Sequence, residues 1–274
     1  MNWGRVRTVA RTDLRQLVSD RGFWLPMVIL GALFFLVLPT ILLLSLTSIS
    51  NVGAVEQISS TLEVLPEQAQ SQIQGDSEKG RAAYALAVFL LAPIAVVVPL
   101  TISTAVGAAT IVGELERGTG EFLAHSPAHV REIYLCKLIA SLIPGYATTL
   151  VGFGIYSLIV NVLVGPEVGG WFFPTAQWLV LMFWVVPPFL ALTLSLVLRL
   201  SARVKSTAAA QQASGLVTLP LIMVAYGQST GSLFGAASAG WFLGLVAWLV
   251  AGLGLLRGMR AVTRARLLGV ADGI

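Results

Sequence analysis

The sequence predicts an all-α polytopic membrane protein, with six transmembrane helices preceded by an amphipathic helix in the interface. Three observations point there. Apolar residues make up 56% of the 274 positions and charged residues 11%, against roughly 25% charged in an ordinary soluble domain. The apolar residues gather in uninterrupted runs long enough to cross a hydrocarbon core of about 30 Å. Lysine and arginine fall almost entirely in alternate gaps between those runs.

In chain order, residues 1–22 place Trp3, Val6, Val9, Ala10, Leu14, Leu17 and Val18 on one helical face, with Arg5, Arg11 and Arg15 opposite. That pattern is an amphipathic helix at the cytoplasmic surface; Asp13 falls near the apolar face and weakens it. Span 1 covers Trp24–Leu46. Its apolar core is too long for a signal peptide and no small-x-small site follows closely, so it is expected to stay as an anchor. Residues 47–82 are polar and acidic, too short for a core of their own, and predict one helix plus loops.

Span 2 covers Tyr84–Val112 and span 3 Leu138–Val164, with the charged island 113–137 between them. A Trp171-Phe172-Phe173 cluster, with Trp178, predicts an interfacial anchor ahead of span 4, Gln177–Leu198. The charge-free window Ser206–Leu256 is about twice what one helix needs. It splits at the Gly/Ser/Thr cluster Gly227–Gly231 into span 5, residues 213–230, and span 6, Ala239–Leu256. The whole of 1–274 then forms a single transmembrane domain.

Basic residues set the orientation. Arg5, Arg7, Arg11, Arg15 and Arg21 precede span 1, and Arg117, Arg131 and Lys137 lie between spans 2 and 3. Arg199, Arg203 and Lys205 follow span 4, and Arg257, Arg260, Arg264 and Arg266 follow span 6. Only Lys79 and Arg81 fall on the other side, beside Glu56, Glu63, Glu67, Asp76, Glu78 and Glu167. Both termini are therefore expected in the cytoplasm, in a plasma (inner) membrane. The net charge of +4 reads as a topology signal and attraction to anionic headgroups, with no nucleic-acid partner.

Three function classes are disfavoured. A P-loop needs Gly-Lys-Ser/Thr, but Lys79, Lys137 and Lys205 follow Glu78, Cys136 and Val204. The predicted spans hold no ionisable side chain besides tyrosine, which argues against ion-coupled transport. Both histidines, His125 and His129, lie in the island, away from the membrane serines, so no hydrolytic constellation forms. This chain is not read as an enzyme. If it moves something uphill, the energy comes from another chain.

The spans carry small and mildly polar residues, including Ser103, Gly107, Ala108, Thr148, Gly152 and Asn161, with prolines at Pro93, Pro99, Pro144, Pro187, Pro188 and Pro220. Close helix packing explains these, as does Gly240-xxx-Gly244 in span 6. A second reading has spans 2 and 5 lining a translocation path, with Thr101, Thr104 and Thr218 as candidate contacts.

The island holds four of the thirteen acids, both histidines and the single cysteine, Cys136. Gly113 can end span 2 in the left-handed conformation. Gly118-Thr119-Gly120 reads as a hinge, Thr119 as a helix cap, and Ser126-Pro127 as the start of a second helix leading into span 3. Such a segment is either a solvated loop or a knob that fits a groove on a soluble partner. Glu121, His125 and His129 are spaced four apart, but Pro127 intervenes and no HExxH pattern exists, so no metal site is assigned. Cys136 has no helix-N-terminus or second-cysteine context, so no reactive thiol is assigned.

The run Glu114-x-Glu116-x-Gly118-Thr119-x-Glu121-x-Leu123, then Ser126-Pro127, Arg131-Glu132-Ile133 and Lys137-Leu138, resembles the signature loop of ABC-2 type transporter permeases. Cys136 stands where glycine is usual and Gly120 where leucine is common. The resemblance extends to the six-span layout and implies a type V exporter-like architecture. It implies a half-transporter pairing with a second permease copy or a paralogue, on two copies of a separate ABC ATPase that binds ATP and Mg. This chain itself would bind no cofactor. By the same resemblance Glu114, Glu116, Arg117, Gly118, Thr119, Glu121, Phe122 and Leu123 form the element that couples to the ATPase. The alternative is a non-transporting scaffold or sensor subunit that anchors a regulatory ATPase through the same loop.

Overall fold

The computed structural model describes residues 3–47, 52–63, 67–116, 129–201, 227 and 237–261. Among them all regular structure is helical. Five helices among the described residues are long and apolar enough to cross a membrane: Trp24–Thr47, Glu78–Ala108, Arg131–Leu163, Ala176–Leu198 and Ala239–Met259. They correspond to predicted spans 1–4 and 6. Span 5 lies outside the described residues apart from Gly227, which is helical.

The N-terminal helix forms over Trp3–Ser19. It stops at Asp20, whose extended backbone and side-chain oxygen cap the next helix by accepting the Gly22 N–H at 2.9 Å. Part of its apolar face is spent on protein. Val6 and Ala10 are buried against Cys136, flanked by Val9, Leu135 and Ile139. Among the described residues between spans 1 and 2 there are two helices, Val52–Glu63 and Glu67–Gln70, where one was expected.

Helix boundaries depart from the charge-free windows in three places. Span 2 starts at Glu78 rather than Tyr84, because Ser77 caps it and Lys79 is neutralised by Glu167 at 2.8 Å. Its far end runs on to Glu116. Gly113 is helical and does not end it: good helix formers follow, and the described glycines with positive φ are Gly75, Gly169 and Gly170. Span 3 is one helix of 34 residues, Val130–Leu163, whose first two turns contain the charged Arg131, Glu132 and Lys137. Span 3 itself is capped at His129; the second helix expected from Ser126 and Pro127 lies outside the described residues.

Spans 2 and 3 pack most tightly. A Cβ on Gly145 would collide with Ser103 Oγ and sit 2.7 Å from the Pro99 carbonyl oxygen, so the backbones meet through the missing side chain. Gly244 of span 6 lies similarly against the Trp184 indole, and Trp184 Nε1–H donates to the Trp241 carbonyl at 3.0 Å.

The end carrying Glu78 and Glu167, here the acidic end, is closed by aromatic rings. Phe173 and Trp178, 4% and 3% exposed, pack against Phe153 and Tyr156 with centroids 5.0–5.9 Å apart. This corrects the reading of the cluster as an interfacial anchor: Trp171 alone of the four predicted aromatics is largely exposed, at 74%. The reason is Asn161. Its side chain donates to the Ser157 and Phe173 carbonyls (2.9 and 2.5 Å) and accepts the Phe172 and Phe173 N–H groups, both at 3.0 Å. One buried amide thus satisfies the backbone of the loop after span 3 and folds it inward.

Spans 1, 2 and 4 each contain a widened, π-helical turn: Leu33–Val37, Leu86–Leu90 and Leu181–Val185. Each is followed by a proline, at Pro39, Pro93 or Pro187-Pro188. Proline lacks the N–H that the preceding turn needs, and the helix widens ahead of it. In span 2, Leu91 N–H donates to Leu86 O at 3.0 Å and Ala92 N–H to Phe89 O at 3.2 Å. Those donors bypass the Ala87 and Val88 carbonyls. Tyr156 Oη–H reaches Ala87 O at 2.6 Å, and Trp178 Nε1–H reaches Val88 O at 2.9 Å. In span 4, Val186 N–H donates to Leu181 O, bypassing Met182 O, which accepts the Tyr146 hydroxyl at 3.0 Å.

Candidate functional site

The candidate site is the foot of spans 2 and 3, where both helices run into the charged island. From span 2 it receives Glu114 and Glu116, which extend the helix beyond the apolar run. From span 3 it receives His129 and the first two turns of the helix. Arg117, Gly118, Thr119, Glu121, Phe122 and Leu123 lie outside the described residues.

The span 3 side is built to hold charge at a packed helix start. Glu132 accepts the His129 backbone N–H through Oε2 at 3.1 Å. It closes a helix start that would otherwise leave that donor open and places negative charge at the positive end of the dipole. Glu132 is buried even so. One turn on, the Lys137 ammonium meets Asp13 Oδ2 of the N-terminal helix at 3.0 Å, with side chains 4% and 12% exposed. The geometry is that of a charge contact without hydrogen-bond alignment. Asp13, which weakened the amphipathic pattern, therefore adds a charge contact to the apolar one that fastens that helix to span 3. The sequence signal was a lone acid on an apolar face and a lone cation inside an apolar run.

A second junction ties span 3 to spans 4 and 6. Tyr134 is buried and its hydroxyl donates to Ser195 Oγ at 2.9 Å; Ser195 in turn donates to the Gly254 carbonyl at 3.0 Å. Gly258 leaves room for the Tyr134 ring. The foot of span 3 thus touches three neighbouring elements, one by charge and two by a neutral relay. Residues 129–137 hold no reacting arrangement of nucleophile and base; what they show is charge pairing, hydrogen bonding and packing.

Of the candidate path residues, Thr101 is exposed and its hydroxyl donates to the Val97 carbonyl at 2.8 Å. Thr104 is buried and donates to Leu100 O at 2.7 Å, within its own helix. Thr218 lies outside the described residues.

A chain with this helical bundle and this charged loop matches the sequence model of the ABC-2 family transporter proteins over residues 7–253. The chain belongs to the ABC-2 transporter family. No curated protein matches it by sequence. The match takes in the N-terminal helix from Arg7, the described spans up to Leu253 and the whole island. Membership identifies a multi-pass membrane permease component of an ABC system, a class that is generally non-enzymatic and works with an ABC ATPase. The foot of spans 2 and 3 lies within the matched residues.

Proposed function

We propose that this permease is the membrane half of an ATP-driven exporter, pairing with a second permease copy or a paralogue and driven through residues 113–137 by a separate ATPase. The observation that carries this reading is the foot of span 3. There Glu132 and Lys137 are buried in packed contacts at the base of a charged loop whose neighbours are membrane helices. A loop anchored on packed charge can transmit displacement to the spans; a loosely tethered one cannot. The sequence supplies no P-loop lysine, so ATP and Mg belong to the partner, present as two copies per complex.

In this reading the basic end faces the cytoplasm of the plasma membrane, six spans form a type V exporter-like half, and Glu114–Leu123 contacts the ATPase. Spans 2 and 5 alternate access at the dimer interface, with Thr101, Thr104 and Thr218 toward the path. The test is co-expression with candidate P-loop ATPases. Glu114→Lys with Glu121→Lys is expected to abolish permease-dependent ATPase activity while membrane insertion is retained. Unchanged activity removes the coupling role. Flux in proteoliposomes separates transport from a scaffold, which shows none.

A further inference from the structure

The breaks in spans 2 and 4 share one construction. A widened turn precedes a proline, carbonyls inside the apolar zone lose their helical donors, and a side chain from another span replaces them. Leaving such a carbonyl bare in a hydrocarbon setting costs several kcal/mol. The replacement donors are Tyr156 and Tyr146, both on span 3, and Trp178 at the start of span 4. Span 3 itself stays helical through Pro144, from Val130 to Leu163. Tyr156 and Trp178 also stack at 5.3 Å, so the two donors on span 2 form one unit.

We propose that spans 2 and 4 hinge at these turns against an unbroken span 3, and that Tyr156, Trp178 and Tyr146 are positioning residues for the transport cycle. They hold the conformer in which the freed carbonyls are capped. The inference rests on the transport reading and names where that motion is absorbed. Two properties suit these turns to it. A widened turn contains one residue more than an α-helical turn, so narrowing it changes the rotation and rise of everything beyond it. The caps are neutral hydrogen bonds, each of modest net worth, and can be exchanged without stranding a charge.

The experiment uses the full chain in lipid nanodiscs with Cys136→Ser and spin labels on exposed positions. Glu78 with Val97 brackets the span 2 turn, Leu179 with Leu196 brackets the span 4 turn, and Arg131 with Val162 reports on span 3. Tyr156→Phe removes one oxygen and is expected to broaden or displace the first distance distribution by at least about 1.5 Å, one helical rise. Tyr146→Phe is expected to do the same to the second, and the third stays fixed in both. A shift in either bracketed pair alone supports a hinge in that span, so loss of one variant to misfolding leaves the other decisive. If neither pair shifts, or all three shift together, the hinges are ordinary packing and the proposal falls. The measurement needs no ATPase. Loss of coupling would appear as failed ATPase stimulation with these distances still responding.

Discussion

The two ends of the bundle are fastened by different chemistry. At the acidic end Asn161 makes four directed hydrogen bonds to backbone and the loop is packed beneath by Phe153, Tyr156, Phe173 and Trp178. At the basic end the N-terminal helix meets span 3 through a small apolar contact and one ion pair lacking hydrogen-bond alignment. Directed bonds to backbone specify one geometry; a charge contact tolerates small changes of angle. The acidic-end loop is therefore specified by directed bonds, whereas the junction of the N-terminal helix with span 3 rests on apolar contact and charge.

The comparison can be broken most forcefully at Asn161. Asn161→Leu strands the Phe172 and Phe173 N–H groups in a buried site, and at about 1–3 kcal/mol per group thermal unfolding in detergent should show the largest loss of the set. A melting curve like that of the unaltered chain would mean the loop is held by ring packing alone. Next comes Asp13→Ala, which removes the Asp13 charge from beside the buried Lys137 and is expected to cost about 3 kcal/mol. Asp13→Leu with Lys137→Met sharpens the point: stability returns toward the starting value because neither charge remains. Double-mutant analysis by thermal melting checks both.

Ser195→Ala should cost about 1 kcal/mol, since it removes the Ser195 hydroxyl that links the Tyr134 hydroxyl to the Gly254 carbonyl. Limited proteolysis of the span 3 foot is the sensitive readout. The smallest effect belongs to Lys79→Ala. Its pair with Glu167 is partly exposed, so the loss should stay within about 1 kcal/mol and shrink in high salt. Melting curves at two salt concentrations would show it.

Five of the spans were legible because each is an apolar run of sufficient length, and runs of that kind survive any detail of packing. Their ends were less legible. Glu78, Lys79, Glu132 and Lys137 looked like loop residues because they are charged, yet each lies in a helix whose neighbour or dipole accepts the charge. The burial of Phe173 and Trp178 depends on Asn161, twelve residues from Phe173, and no local pattern reports a bond of that span. The widened turns are half legible. A proline inside an apolar run marks the missing donor, but Tyr146 and Tyr156 as its substitutes emerge only from the packing. Within the candidate site, the foot of the island could be described from Glu114 and Glu116 backward and from His129 forward.

The length of span 3 has a mechanical consequence. Its 34 residues measure about 51 Å at 1.5 Å per residue, well beyond a hydrocarbon core of about 30 Å. A helix of that length cannot be contained in the hydrocarbon core and can act as a lever. A tilt of about 10° about its midpoint would sweep that foot through about 4 Å. With the pivot at the midpoint, a shift of that size at Val130 is matched by an equal and opposite one at the far end, near Leu163.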